Sequence, residues 1–130
     1  MVLSKDVGDH SMIRKEALEF AKGCWEGKVW LQDLYFSEGA ESKNLCAELI
    51  VELDLPEEKK PILYKLVDAA LTDALYRLLL GLDGSMSIGK LTQQPYTITN
   101  ASGEVISECG DLEAAAYLYF HKNPNEQCAK

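Results

Sequence analysis

Hydrophobic residues recur every three or four positions between Ser11 and Cys24. Ile13, Ala17, Phe20, Ala21 and Cys24 fall on one stripe, which predicts an amphipathic helix. Ser11 is placed to cap it, and Gly23 and Gly27 suit its end. Lys28 to Phe36 reads either as a short buried helix or as a strand, and the spacing of Trp30, Leu31, Leu34 and Tyr35 favours the helix. Ser37-Glu38-Gly39 is a break. Ala40 to Leu53 then predicts a second helix. At about 100° per residue its inner side would be Leu45, Cys46, Leu49, Ile50 and Leu53, with Glu41, Glu48 and Glu52 in a narrow stripe beside it. Leu55-Pro56 ends it, because the residue before a proline avoids the α region.

Glu57 to Lys60 suits the first turn of the next helix, and Pro61 demands a kink or a restart. From Ile62 to Leu82 apolar residues occupy more than one stripe, the pattern of a central helix buried over most of its circumference. Gly81 and Gly84 supply terminators. Tyr96 to Thr99 and Glu104 to Ser107 have strand character on either side of the turn residues Asn100-Ala101-Ser102-Gly103. Asp111 is placed to cap a last helix, Leu112 to His121, whose inner face is Leu112, Ala115, Ala116, Tyr119 and Phe120. Asn123-Pro124-Asn125 marks the start of a loose tail, residues 123–130. The expected fold is α+β and mostly α: a helical layer with a long central helix, then a β-hairpin and a closing C-terminal helix, in a single globular domain spanning 1–130.

Composition narrows the function. The chain has 130 residues, 47% of them hydrophobic, enough for one domain with a real core. No apolar run approaches the ~20 residues that span a bilayer, and the N-terminus lacks the pattern of a secretory signal. Cys24, Cys46, Cys109 and Cys128 show no CxxC or zinc-type spacing, so four reduced thiols in a cytoplasmic protein are expected, with Cys46 slow to react on the inner side of its helix. The net charge is −8, and residues 31–58 hold eight acids against Lys43. That field opposes direct binding to nucleic acid and favours a protein partner with a basic surface.

Candidate chemistry is sparse. Asp83-x-Ser85-x-Ser87 matches the metal-binding DxSxS motif of von Willebrand A-type domains. In that fold the motif follows the first strand, whereas here it follows a helix and stands late in the chain. The expected role is a helix-ending turn in which Asp83 and Ser85 or Ser87 bond nearby backbone amides, with no metal bound. His10 and His121 flank the first and last helices. Cys109 with His121, twelve residues apart, is one candidate nucleophile–base pair, and nothing in the sequence places them in contact. Carboxylate-bridged di-metal bundles use ExxH pairs, and none occurs. With no phosphate-loop, zincin or hydrolase motif either, no catalytic residue and no cofactor is expected, and the chain reads as a non-enzyme. Asp33, Glu41, Glu48 and Glu52 are the candidate partner-binding residues, chosen on charge, with a solvated helix face as the plainer alternative; of Trp25, Trp30, Tyr35 and Phe36 nearby, most read as core and one could anchor an interface.

The second half of the chain also resembles a known group. Leu75-Tyr76-Arg77-Leu78-Leu79-Leu80-Gly81-Leu82-Asp83-Gly84-Ser85, the Tyr96 to Ser107 hairpin, and Asp111-Leu112-Glu113-Ala114-Ala115-Ala116-Tyr117 to His121 are similar in order to small acidic bacterial immunity proteins found beside polymorphic and contact-dependent toxins. The resemblance implies a domain that binds and neutralises a cognate toxin, often a basic nuclease. Such proteins share no common fold, so no individual binding residue carries over. The alternatives are a structural or adaptor domain with a different partner, or a small enzyme or ligand-binding protein using His121 and Cys109.

Overall fold

A computed structural model describes residues 13–37 and 44–121. The fold is α+β and mostly α. Its order is α1 (Lys15–Phe36), α2 (Leu45–Leu53), a single 3-10 turn (Glu57–Lys59), α3 (Lys60–Asp83), β1 (Ile98–Thr99), β2 (Val105–Ser107) and α4 (Asp111–Phe120). The described residues fall into two compact units. One joins the residues up to Trp25 with those from Leu75 onward; the other is Glu26–Ala74.

The helix expected to end near Gly23 or Gly27 does not end there. α1 runs through both glycines to Phe36, and the ambiguous stretch from Lys28 is helical. Each glycine weakens a helix by only about 1 kcal/mol. The buried positions Ala17 and Ala21 in the first unit, and Lys28 and Gln32 in the second, keep helical spacing on either side of them. Ser11 lies outside the described residues.

In the first unit Ala17, Ala21, Leu79, Leu112, Ala115, Ala116 and Phe120 form the buried core. The alanines of α1 and α4 share this cluster, while Leu79, Leu112 and Phe120 supply volume at about 1.5–3 kcal/mol each. Trp25 and Tyr119 rings meet at 6.4 Å, and Tyr76 and Phe120 at 6.3 Å. The inner face expected for the last helix is the one observed, with Tyr119 half-buried. β1 and β2 pair antiparallel, with Ile98 opposite Ser107 and Thr99 opposite Val105. Asn100 closes the turn, its Oδ1 accepting from the amides of Ser102 and Glu104 at 2.9 and 3.0 Å.

In the second unit Asn44 caps α2, its Oδ1 accepting from the amides of Cys46 and Ala47 at 2.8 and 3.3 Å. Asp54 ends the helix in the left-handed region at φ 49°. Pro61 sits in the first turn of α3, where a missing N–H leaves no intrahelical bond unmade, so the restart falls at Lys60. The inner side of α2 is not the expected one. Ala47 is buried and Ile50 half-buried, whereas Leu45, Cys46, Leu49 and Leu53 are exposed. The helix is turned by roughly a quarter of its circumference from the leucine-inward reading. Ile62, Leu66, Ala69 and Ala70 of α3 are also exposed, so α3 is not enclosed on all sides in this unit.

This rotation reverses the expectation for Cys46. Cys24 is half-buried and its thiol is pushed up by burial, while Cys46 and Cys109 are exposed. The thiolate is the reactive form. Alkylation of the native protein, followed by peptide mapping, should label Cys46 and Cys109 at least ~10-fold faster than Cys24. Equal rates at Cys24 and Cys46 would contradict the placement of α2.

Candidate protein-binding surface

The Asp83 loop is a structural device spanning much of the first unit. α3 closes with Ser85 N–H donating to Leu80 O at 2.9 Å and Gly84 N–H to Gly81 O at 3.1 Å. This is a Schellman end, with Gly84 at φ +89°. Gly81 stays inside the helix because Ile88 lies against it, 2.5 Å from where a Cβ would stand. Asp83 is 2% exposed. Its carboxylate accepts from the amides of Gly110 (2.8 Å), Leu112 (3.1 Å) and Glu113 (3.2 Å), at the start of α4. Burial pushes its pKa up, and those three amides pull the other way.

The expectation that Asp83 bonds nearby amides is therefore corrected: its partners lie 27 to 30 residues away. The expectation that Asp111 caps α4 is corrected with it. Gly110 holds the cap position without a side-chain bond, and Asp111 Oδ2 instead accepts from Glu108 N–H at 2.8 Å and Arg14 Nε at 2.7 Å. Ser85 donates to Glu113 and Ser87 to Gly89 O. The three side chains point to separate tasks. Millimolar Mg²⁺ or Ca²⁺ should accordingly leave the melting temperature unchanged, since a ligand specific for the native state must raise it. A rise that vanishes in Asp83→Asn would contradict this assignment.

Cys109 precedes α4 and His121 follows it. The rise of a ten-residue helix sets them about 15 Å apart, so they form no pair. His121 is engaged by aromatic rings, edge-on to Tyr76 at 4.4 Å and tilted to Tyr117 at 5.9 Å. Among the described residues no group of three or more His, Cys, Asp or Glu is placed to hold a metal ion.

The acidic candidates lie in the second unit. Asp33 is exposed on α1, and Glu48 and Glu52 are exposed on α2; Glu41 lies outside the described residues. None of those three forms an ion pair with another described residue. Glu48 and Glu52 share the outward side of α2 with Leu45 (67% exposed), Leu49 (50%) and Leu53 (54%). The leucines were not legible as surface residues, because their spacing is the same whichever side of the helix faces the core. Trp30 is exposed on α1, Tyr35 and Phe36 are half-buried, and Phe36 stacks on Tyr64 at 5.0 Å. Behind α2 lies a cavity of about 260 Å³, lined by Tyr35, Phe36, Ala47, Ile50 and Leu63, with Asp54 and Lys60 also on its wall. Burial and a side-chain hydrogen bond with Cys46 push the Tyr35 phenol up.

One buried polar feature was not anticipated. Lys28 is 1% exposed, and its ammonium donates to Asp68 Oδ1 at 2.7 Å and Thr72 Oγ1 at 3.1 Å. It joins α1 to α3 within the second unit. The only sequence signal is a lysine four residues before Gln32 at the start of an apolar stretch.

Comparison with known proteins finds no matching family model, no matching curated protein and no matching solved structure. Among the described residues, no helix is long and apolar enough to cross a membrane.

Proposed function

We propose that this chain is a protein-binding inhibitor, an immunity protein that neutralises a cognate toxin domain with a basic surface. The observation that carries the reading is the outward side of α2. It sets exposed leucines beside Glu48 and Glu52, on a chain of net charge −8. Exposed apolar clusters rimmed by polar groups mark interaction sites more often than plain solvent faces. The acids select a cationic partner and speed its approach, and the leucines supply what charge alone does not. A cytoplasmic location accompanies this reading, and the same field argues against nucleic acid as the direct ligand.

An adaptor role is the second reading. The exposed stripe of Ile62, Leu66, Ala69 and Ala70 on α3 favours it, because it is apolar for two turns, with Asp73 as the acid on the same face one turn further on. Affinity capture from the native host tests the pair. The inhibitor reading expects one dominant cationic protein, with association that slows as salt rises. Retention of an acidic or neutral protein, insensitive to salt, would favour the adaptor instead.

A further inference from the structure

We infer that the Leu45–Leu49–Leu53 ridge of α2 docks one amphipathic helix that carries lysine or arginine beside its apolar face. The inference rests on the reading above that the partner is a cationic protein, and it specifies the element of that partner.

Leucines four residues apart form an i±4 ridge, the row that packs into the groove of a facing helix. All three are at least half exposed. Glu48 and Glu52, also four apart, run along one side of the ridge, and α2 has no cation anywhere in its sequence LCAELIVEL. A facing helix with cations at the same spacing would meet both acids while its apolar side covers the leucines. An anionic helix would be repelled. An extended peptide has no purchase, since a helix presents no free backbone edge of the kind that strand addition uses. An anionic membrane surface is disfavoured by the same two glutamates. α2 has nine residues, about 13 Å, so the complementary segment is roughly three helical turns.

The test uses the full chain and three fluorescently labelled helical peptides of equal length at low ionic strength. The first has a leucine face flanked by lysines. The second replaces the lysines with glutamate, and the third keeps the lysines but replaces the leucines with serine. The first should bind at least tenfold more tightly than either of the others. Leu45→Ser/Leu49→Ser should weaken it at least tenfold, and Glu48→Gln/Glu52→Gln several-fold. The glutamine pair checks the result in a variant that leaves the leucines untouched.

If the serine peptide binds as well as the first, the ridge is not the dock, although a cationic partner still stands. If the glutamate peptide binds as well, the cationic preference fails, and the proposed function fails with it. If neither double substitution changes binding, the site lies elsewhere. A concentration-dependent dimer of the parent chain that Leu49→Ser abolishes would show that a second copy covers the ridge, and would also overturn the inference.

Discussion

Replacing Asp83 with alanine is expected to destabilise the fold by about 3 kcal/mol, the sum of a lost helix cap and buried amides left without an acceptor. The magnitude follows from position. Asp83 ends α3 and its carboxylate receives three amides at the start of α4, so one side chain closes a long loop and neutralises a helix N-terminus. The residue is 2% exposed, so water cannot replace it without opening the first unit. Asp83→Asn keeps a carbonyl oxygen in place and should lose less than the alanine variant. In urea, Asp83→Ala should lower the midpoint with little change in slope, and its melting point should fall by roughly 10 °C. A loss under ~1 kcal/mol would place the residue among ordinary surface positions and contradict the role assigned to it.

Asp68→Ala should be the second large effect. Removing one partner of a buried pair weakens the compensation of the other charge, which costs up to about 3–5 kcal/mol when both are enclosed. Lys28 is 1% exposed but the Asp68 side chain is 33% exposed, so solvent screens part of the interaction and about 2 kcal/mol is expected. The double substitution Lys28→Met/Asp68→Leu should recover most of that loss, because a hydrophobic pair has no desolvation penalty to offset. Urea unfolding of Lys28→Met, Asp68→Leu and the double variant forms a mutant cycle. A double variant as unstable as Asp68→Ala would show that the ion pair is not what holds α1 to α3 in the second unit.

Much of the backbone was legible locally. The Asn100 turn, the Pro56 boundary and the α4 inner face each depend on residues within a few positions of one another. The reading failed where the deciding partner is distant. Asp83 looked like a local turn residue because its acceptor role is defined by amides near residue 111. Lys28 gave no sign of burial because Asp68 is 40 residues away. Gly23 and Gly27 looked like stops because their propensity cost is local, whereas burial on either side of them is tertiary.

α2 shows the same limit at the candidate site. The exposed spacing of Glu48 and Glu52 could be read from the sequence. The outward placement of Leu45, Leu49 and Leu53 could not, since an apolar stripe is ordinarily assigned to the core. What made them look structural is what makes them candidates for recognition once the helix is seen from Ala47 and Ile50.

The central claim is that the outward side of α2 is an interface and not a solvated face. The most direct measurement is the affinity of the captured cationic partner for the parent chain and for Glu48→Lys/Glu52→Lys, with stability measured in parallel. Both glutamates are exposed and unpaired among the described residues, so the fold should be little affected. The account predicts binding weakened by more than tenfold, about 1.4 kcal/mol, mainly through slower association at low salt. Unchanged affinity in a stably folded double variant would contradict it.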